Sequence, residues 1–137
     1  MDRSTIAAFL AKQTLAVEAS TAEGGQPQAA VVAIVSNDRF EVLFETPVAT
    51  RKVENLRRDP RVALVVWEGL TTLQYEGVID EPTGEELEPL LQLLFARFPD
   101  ARARAGSVTY LRARPTWVRY SPLVDGKPVQ IELTSFA

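Results

Sequence analysis

The pattern of apolar and polar positions changes its period several times along the chain. Apolar residues recur at helical spacing in three segments, whereas short apolar or alternating runs bounded by Gly, Pro and Asn are typical of strands. The predicted helices cover residues 3–12, with a cap at Ser4 or Thr5, residues 50–59, and a segment after Thr83. The predicted strands cover residues 15–19, 29–35, 40–44, 62–67, 72–79, 108–112, 116–120 and 129–133.

The third helix has the clearest amphipathic pattern. Its apolar positions share one helical face, namely Leu87, Leu90, Leu91, Leu94, Phe95 and Phe98. Thr83 and Glu86 have the spacing of a capping box. Pro89 would interrupt the second turn of a helix that begins there, so we expect the regular helix to begin near Glu88. Pro99 predicts its end.

The strands predict a mainly β fold. The run over residues 29–35 is nearly all apolar, which predicts a strand buried on both faces. Short turns join neighbouring strands, and this favours antiparallel pairing. Six to eight strands with three helices predict a small β-barrel or sandwich with peripheral helices. The chain shows no repeat or linker, so its 137 residues are expected to form one domain, residues 1–137.

The amino-acid composition excludes several kinds of catalytic and metal-binding site. The chain contains no Cys and no His, so it lacks thiolates, the commonest metal ligand, the usual axial ligand of haem and the usual general base near neutral pH. We therefore expect no metal site and assign no catalytic side chain. The net charge of −3 gives no positive field to attract nucleic acid. No apolar run is long enough for a bilayer, so we expect a cytoplasmic protein without a nucleic-acid or membrane partner.

One segment carries a local excess of basic side chains, although the chain as a whole is acidic. Residues 51–61 hold five basic side chains against Glu54 and Asp59. Thr50 is a good N-cap, which places Arg51 and Lys52 at the start of the second helix, where the helix dipole disfavours cations. Free amides, a hydroxyl and two cations at one point form a candidate anion site. The alternative is that water alone solvates both side chains.

The segment over residues 44–77 resembles the pyridoxamine 5′-phosphate oxidase-like family of FMN-binding split-barrel proteins. The motifs that carry the resemblance are Phe44-Glu45-Thr46, Thr50-Arg51-Lys52-Val53-Glu54-Asn55-Leu56, Asp59-Pro60-Arg61-Val62-Ala63-Leu64 and Leu73-Gln74-Tyr75-Glu76-Gly77. The order of elements extends the resemblance over roughly residues 10–120. It implies an antiparallel split β-barrel of Greek-key type that forms a homodimer, with two flavin sites at the subunit interface.

The resemblance assigns phosphate binding to the start of the second helix. Thr46, Arg51 and Lys52 match the phosphate-binding positions of the family, and Thr50 lies beside them. Gln74 matches a glutamine that reaches the flavin.

The resemblance also places two strands against the flavin ring. The stretch over residues 30–35 matches a strand whose backbone lies along the isoalloxazine ring, and its candidate contacts are Val32, Ala33, Ile34 and Val35. Trp117 and Arg119 match a Trp and an Arg that lie near the cofactor in a late strand.

The resemblance implies an FMN-binding oxidoreductase with an unassigned substrate, in which the flavin exchanges a hydride or electrons with a nicotinamide donor or another small molecule. Val35 replaces a Lys that binds pyridoxal phosphate in the founding enzyme, and the His-containing substrate motif of that enzyme is absent, so we do not expect its activity here. One alternative with the same fold is a deazaflavin-dependent reductase, in which Arg57, Arg58 and Arg61 bind a longer anionic tail. Another is a non-catalytic flavin-binding or storage module.

Overall fold

A curled antiparallel sheet and three α-helices make up the computed structural model, which describes residues 2–137. The strands are β1 (Leu15–Thr21), β2 (Pro27–Ala33), β3 (Val35–Ser36), β4 (Val42–Thr46), β5 (Arg61–Glu68), β6 (Thr71–Asp80), β7 (Thr109–Ser121), β8 (Leu123–Val124), β9 (Lys127–Pro128) and β10 (Ile131–Leu133). The helices are α1 (Arg3–Lys12), α2 (Arg51–Arg58) and α3 (Gly84–Arg97), followed by a 3-10 helix (Pro99–Arg104).

The main sheet has eight strands in the order β2-β1-β5-β6-β7-β4-β3, and β10 also pairs with β7. All of its strand pairs are antiparallel. The two remaining strands, β8 and β9, form a separate hairpin. These observations confirm the predicted mainly β fold with peripheral helices. Within residues 2–137, no helix is long and apolar enough to cross a membrane.

The main hydrophobic core lies between one face of the sheet and the helices α1 and α2. The alternation of β5 shows the two faces, because buried Val62, Leu64 and Val66 are separated by exposed residues. Tyr75 lies at the centre of this core, and its hydroxyl donates to the carbonyl oxygens of Phe40 (2.7 Å) and Ala113 (3.0 Å). A second apolar cluster packs α3 onto β3 and β4.

Two helix starts differ from the prediction. The α1 cap is Asp2, whose Oδ1 accepts from the backbone amide of Thr5 at 2.9 Å, so the predicted cap at Ser4 or Thr5 is wrong. The α3 helix begins at Gly84, so the predicted start near Glu88 is also wrong, and Pro89 lies inside the helix. Leu90 and Leu94 are buried under α3, and this packing compensates for the hydrogen bond that Pro89 cannot donate.

Two strands also differ from the prediction. The predicted strands 108–112 and 116–120 are one continuous strand, β7, because Pro115 lies opposite Gly77 at a β-bulge, where it need not donate a regular ladder bond. The predicted burial of residues 29–35 on both faces is wrong, since β2 is an edge strand that ends at Ala33 and leaves residues 29–31 exposed.

Candidate functional site

A cavity of about 290 Å³ opens where α2 begins, between this helix and the first two strands. The α2 helix contributes Thr50, Arg51 and Lys52 to its lining, and β1 contributes Glu18 and Ser20. The structure therefore brings together the basic residues that the sequence placed at the start of a helix. It adds a carboxyl group and a hydroxyl group from a strand that the sequence analysis did not associate with the site.

The start of α2 keeps its hydrogen-bonding groups available. Thr50 is the N-cap residue, with an extended backbone and a side chain that makes no capping hydrogen bond. Its Oγ1 lies 3.4 Å from the Oγ1 of Thr46, which is buried at the end of β4. The Thr50 hydroxyl thus lies at the uncapped start of the helix with the buried Thr46 hydroxyl next to it, although Thr46 itself does not line the cavity. Uncapped amides at a helix N-terminus are the usual arrangement for binding an anion.

The cations at the two ends of α2 have different environments. Within residues 2–137, neither Arg51 nor Lys52 forms an ion pair, and neither side chain forms a hydrogen bond. In contrast, Arg57 forms a bidentate pair with Glu81, and Arg58 donates to the carbonyl oxygen of Thr21 at 2.7 Å. The N-terminal cations are therefore the ones available to a ligand.

A polar network supports the floor of the cavity. The buried Asn55 amide of α2 donates to Ser20 Oγ at 3.2 Å and to Gln28 Oε1 at 2.8 Å. These bonds tie α2 to β1 and β2. Glu18 and Ser20 belong to the buried row of β1 together with Ala16. Polar residues at alternate positions after Ala16 were therefore the sequence signal that could have identified both as residues of the cavity.

Gln74, Trp117 and Arg119 form a second cluster. Gln74 lies directly opposite Arg119 in the β6–β7 ladder. Arg119 donates to Glu132 Oε1 at 2.7 Å, its guanidinium lies 5.1 Å from the centre of the Trp117 ring, and Trp117 Nε1 donates to Glu132 Oε2 at 3.3 Å. Hydrogen bonds from Arg119 and Trp117 lower the pKa of the Glu132 carboxyl below its ordinary value.

The strand registers place these two groups on opposite faces of the sheet. Glu18, Leu64 and Tyr75 lie side by side in one row that faces the core. Val17, Val65 and Gln74 lie side by side in the adjacent row, and their side chains therefore point to the opposite face of the sheet. A single protomer does not bring Gln74, Trp117 and Arg119 together with the cavity at α2.

The residues predicted to lie along the flavin ring are divided between two strands. Val32, Ile34 and Val35 have buried side chains, and Ala33 is half-buried. Val35 belongs to β3 and packs in the cluster under α3. In the main sheet β2 pairs only with β1, so its other backbone edge remains available for hydrogen bonds.

The outer face of the sheet is unusually apolar. On this face the neighbouring strands β2, β1 and β5 expose four large apolar side chains, each between 38% and 62% accessible: Leu15, Val31, Val65 and Trp67. Contiguous apolar surface of this kind is typical of a protein–protein interface.

Similar solved structures share this fold. A haem-binding protein from Mycobacterium smegmatis has a TM-score of 0.78 at 18% identity, and the match covers 96% of this chain and 56% of that chain. A Clostridium acetobutylicum protein of the pyridoxinephosphate oxidase family, related to general stress protein 26 of Bacillus subtilis, has a TM-score of 0.69 at 16% identity over 97% of both chains. An F420 reductase has a TM-score of 0.66 at 17% identity over 81% of this chain and 93% of that one.

Sequence comparison gives the same family. No curated protein is significantly similar to the chain. A family model described as pyridoxamine 5′-phosphate oxidase, however, matches residues 3–122. This match spans most of the sequence and includes both the α2 region and the β6–β7 cluster. The chain therefore belongs to the pyridoxamine 5′-phosphate oxidase family, and its curled antiparallel sheet has the split-barrel fold.

Proposed function

We propose that the protein binds FMN and acts as a flavin-dependent oxidoreductase. The observation that carries this proposal is the cavity at the N-terminus of α2, with two cations that have no ionic partner among residues 2–137. First-turn amides, the hydroxyl groups of Thr46 and Thr50, and the charges of Arg51 and Lys52 suit a phosphate group in both charge and hydrogen bonding. Membership of the family supports FMN as the molecule that carries the phosphate.

The residues present fit this cofactor at its phosphate end. The uncapped start of α2 supplies donors, and Asn55 fixes the floor of the cavity through Ser20 and Gln28. Bound FMN would supply hydride or electron transfer. The chain itself binds the phosphate and orients the ring, and the free edge of β2 offers backbone groups for that second task.

A homodimer completes the proposed site. Lys52 and Gln74 lie on opposite faces of the sheet, so both can contact one cofactor only if they come from different protomers. The apolar outer face, with Val31 and Val65, is the surface that a second copy would cover. This arrangement would place each FMN between two subunits, with a nicotinamide donor or another small molecule reaching it from solvent.

A deazaflavin coenzyme is the second candidate, and the structural similarity to an F420 reductase favours it. The cations that would bind a longer anionic tail already have protein partners, because Arg57 pairs with Glu81 and Arg61 pairs with Asp59. Haem is less compatible with this chain, which contains no His or Cys for the common axial positions. FMN therefore remains the first proposal.

Replacement of both N-terminal cations tests the proposal. If Arg51 and Lys52 each donate a charge-assisted hydrogen bond of about 1.5–3 kcal/mol to the phosphate, Arg51→Ala with Lys52→Ala removes about 3–6 kcal/mol of binding free energy. FMN affinity should then fall roughly a hundredfold to ten-thousandfold. Thermal stability should hardly change, because the variant removes two cations from the positive end of a helix dipole.

A control variant removes the same amount of charge from the same helix. Arg57→Ala with Arg58→Ala also removes two positive charges from α2, at residues that do not line the cavity. FMN titration into both apo variants should show the large loss of affinity only in the Arg51/Lys52 variant. Equal affinities in both variants and the wild type would disprove the site. Absorption spectra of the purified protein distinguish the two-band profile of FMN from the single visible band of a deazaflavin.

A further inference from the structure

Glu18 is a buried carboxyl group to which the proposed function gives no role. It is 1% exposed and lies on the core-facing side of β1, between Ala30 of β2 and Leu64 of β5. Its Oε1 atom has no hydrogen-bond partner within residues 2–137, and the residue lines the cavity at the start of α2. A buried carboxyl oxygen without a hydrogen-bond partner is destabilising, so a hydrogen bond at Glu18 Oε1 would be favourable.

Few charged groups face this carboxyl. No titratable residue occurs in β2, and the core-facing residues of β5 are Val62, Leu64 and Val66. On α2, Lys52 and Arg51 line the same cavity, whereas Arg58 is held by the carbonyl oxygen of Thr21. Burial raises the pKa of Glu18, and the Ser20 hydroxyl and the charge of Lys52 oppose that rise without cancelling it.

Lys52 lines the same cavity as Glu18, so its charge acts both on the Glu18 carboxylate and on any phosphate group that enters the cavity. An ionised Glu18 and a phosphate in a space of about 290 Å³ repel each other, and burial leaves that repulsion poorly screened. Protonation of Glu18 removes the repulsion and leaves Lys52 to the ligand. It also converts an unpartnered acceptor into a hydrogen-bond donor at the lining of the cavity.

We propose that Glu18 couples the binding of a phosphate monoester in this cavity to the uptake of one proton, which the carboxyl holds while the ligand remains bound. This inference rests on the proposed phosphate site at α2 and adds a proton to its bound state. The proton comes from solvent and returns there when the ligand leaves. Because the linkage is reciprocal, affinity for the phosphate falls as pH rises through the ionisation of Glu18.

Calorimetric titration of FMN into the wild type and Glu18→Gln tests this coupling. Gln resembles a neutral Glu in size and also donates a hydrogen bond, so the variant should bind FMN. In buffers of different ionisation enthalpy, at pH values that span the ionisation of Glu18, the wild type should take up as much as one proton more than the variant. Its Kd relative to that of the variant should rise by up to about tenfold per pH unit.

Two further comparisons isolate the effect. The phosphate of FMN also titrates near pH 6 and its ionisation is coupled to that of Glu18, so the difference between wild type and variant reports the protons of the coupled pair. Glu54→Gln removes an exposed carboxylate of α2 that does not line the cavity, and this variant should behave like the wild type. Riboflavin, which has no phosphate, should give equal proton uptake in the wild type and Glu18→Gln.

A measurement on the wild type alone covers the case in which Glu18→Gln does not fold. The carboxyl carbon resonance of labelled Glu18 reports its ionisation directly, and its titration midpoint should move to higher pH when FMN is added. An unmoved midpoint, or equal proton uptake in the wild type and the variant with FMN bound to both, would overturn the coupling and leave the phosphate site intact. Failure of the wild type to bind FMN at any pH would instead overturn the proposed function and this inference together.

Discussion

The Tyr75 hydroxyl shows how much of the fold depends on single polar atoms. It bonds to the carbonyl oxygens of Phe40 and Ala113, and so connects β6 to the segment before β4 and to β7 inside the main core. Phe40 has a φ of +60°, an uncommon conformation for a residue with a side chain, and this contact helps to hold it. Burial raises the pKa of Tyr75, so the hydroxyl remains a donor at all ordinary pH values.

Tyr75→Phe should therefore destabilise the protein. The substitution leaves two buried carbonyl oxygens without this donor, which costs about 1–3 kcal/mol. Tyr110→Phe is the matched control, because the Tyr110 hydroxyl is buried and has no partner within residues 2–137. Its removal should change stability by less than about 0.5 kcal/mol. Urea denaturation of both variants gives the comparison, and equal losses would show that the Tyr75 hydrogen bonds do not stabilise the fold.

At the residue level, the local sequence was sufficient to bring two candidate residues together. An N-cap followed by two cations predicted an anion site at Arg51 and Lys52 because these groups are adjacent in the chain, and the structure places both at one cavity. Glu18 was missed because its importance depends on which face of β1 is buried and on what packs there. That information lies in β2, β5 and α2 and not in the strand itself.

At the level of elements, the β6–β7 ladder combines a long strand with a local irregularity. The register shifts between Glu76 and Gly77, opposite Pro115. A Cβ atom at Gly77 would lie 2.9 Å from Tyr75 Cε1 and closer still to the Arg114 carbonyl oxygen, so only Gly fits. Two separate strands were predicted here. Pro is rare inside sheets, but the bulge accommodates Pro115 within one continuous strand.

Gly77→Ala should strain the bulge. The added methyl group must displace a backbone carbonyl or the Tyr75 ring, and overpacking of this kind costs about 1–3 kcal/mol. At Gly106 nothing lies within 4 Å of the added Cβ, and φ is not in the left-handed region, so Gly106→Ala should be neutral or slightly stabilising. Thermal melts of the two variants decide the matter. A Gly77→Ala variant as stable as Gly106→Ala would mean that the bulge relaxes freely.

Helix boundaries illustrate the limit of local rules. Pro89 predicted a start for α3 near Glu88, yet the helix begins at Gly84 because Leu90 and Leu94 pack against the sheet. The existence and amphipathic face of this helix were predictable from apolar spacing. Its start was not, since tertiary packing outweighs the cost of one missing hydrogen bond.

At the scale of the whole molecule, the sheet separates two groups of candidate residues and leaves an apolar surface exposed on its outer face. Fold class followed from the alternation of strands and turns, and the family followed from motifs over residues 44–77. The placement of the two groups of candidate residues on opposite faces was not predictable, because it depends on the register of strands distant in sequence, such as Val65 opposite both Val17 and Gln74.

A charge on the outer face should therefore disrupt the proposed dimer. Val65 is 38% exposed at the centre of that face, and Val65→Glu would bury a carboxylate in the interface, which is strongly unfavourable. Leu93→Glu is the control, since Leu93 has a similar exposure of 41% but lies on α3. In sedimentation, the wild type and the control should run at twice the monomer mass of 15.1 kDa, and Val65→Glu should run as a monomer. A monomeric wild type that binds FMN tightly would contradict the proposed dimer.

In the proposed dimer, the division of the proposed site between opposite faces means that two defective chains can complement each other. A chain that lacks Lys52 and a chain that lacks Gln74 each form homodimers in which both sites are incomplete. When the two are mixed and allowed to exchange subunits, the mixed dimer contains one site with both defects and one with neither. Cofactor binding should then return to half of the sites in those dimers. Because each proposed site takes residues from two chains, the effect of a mutation on cofactor binding depends on the chain with which the mutant chain assembles.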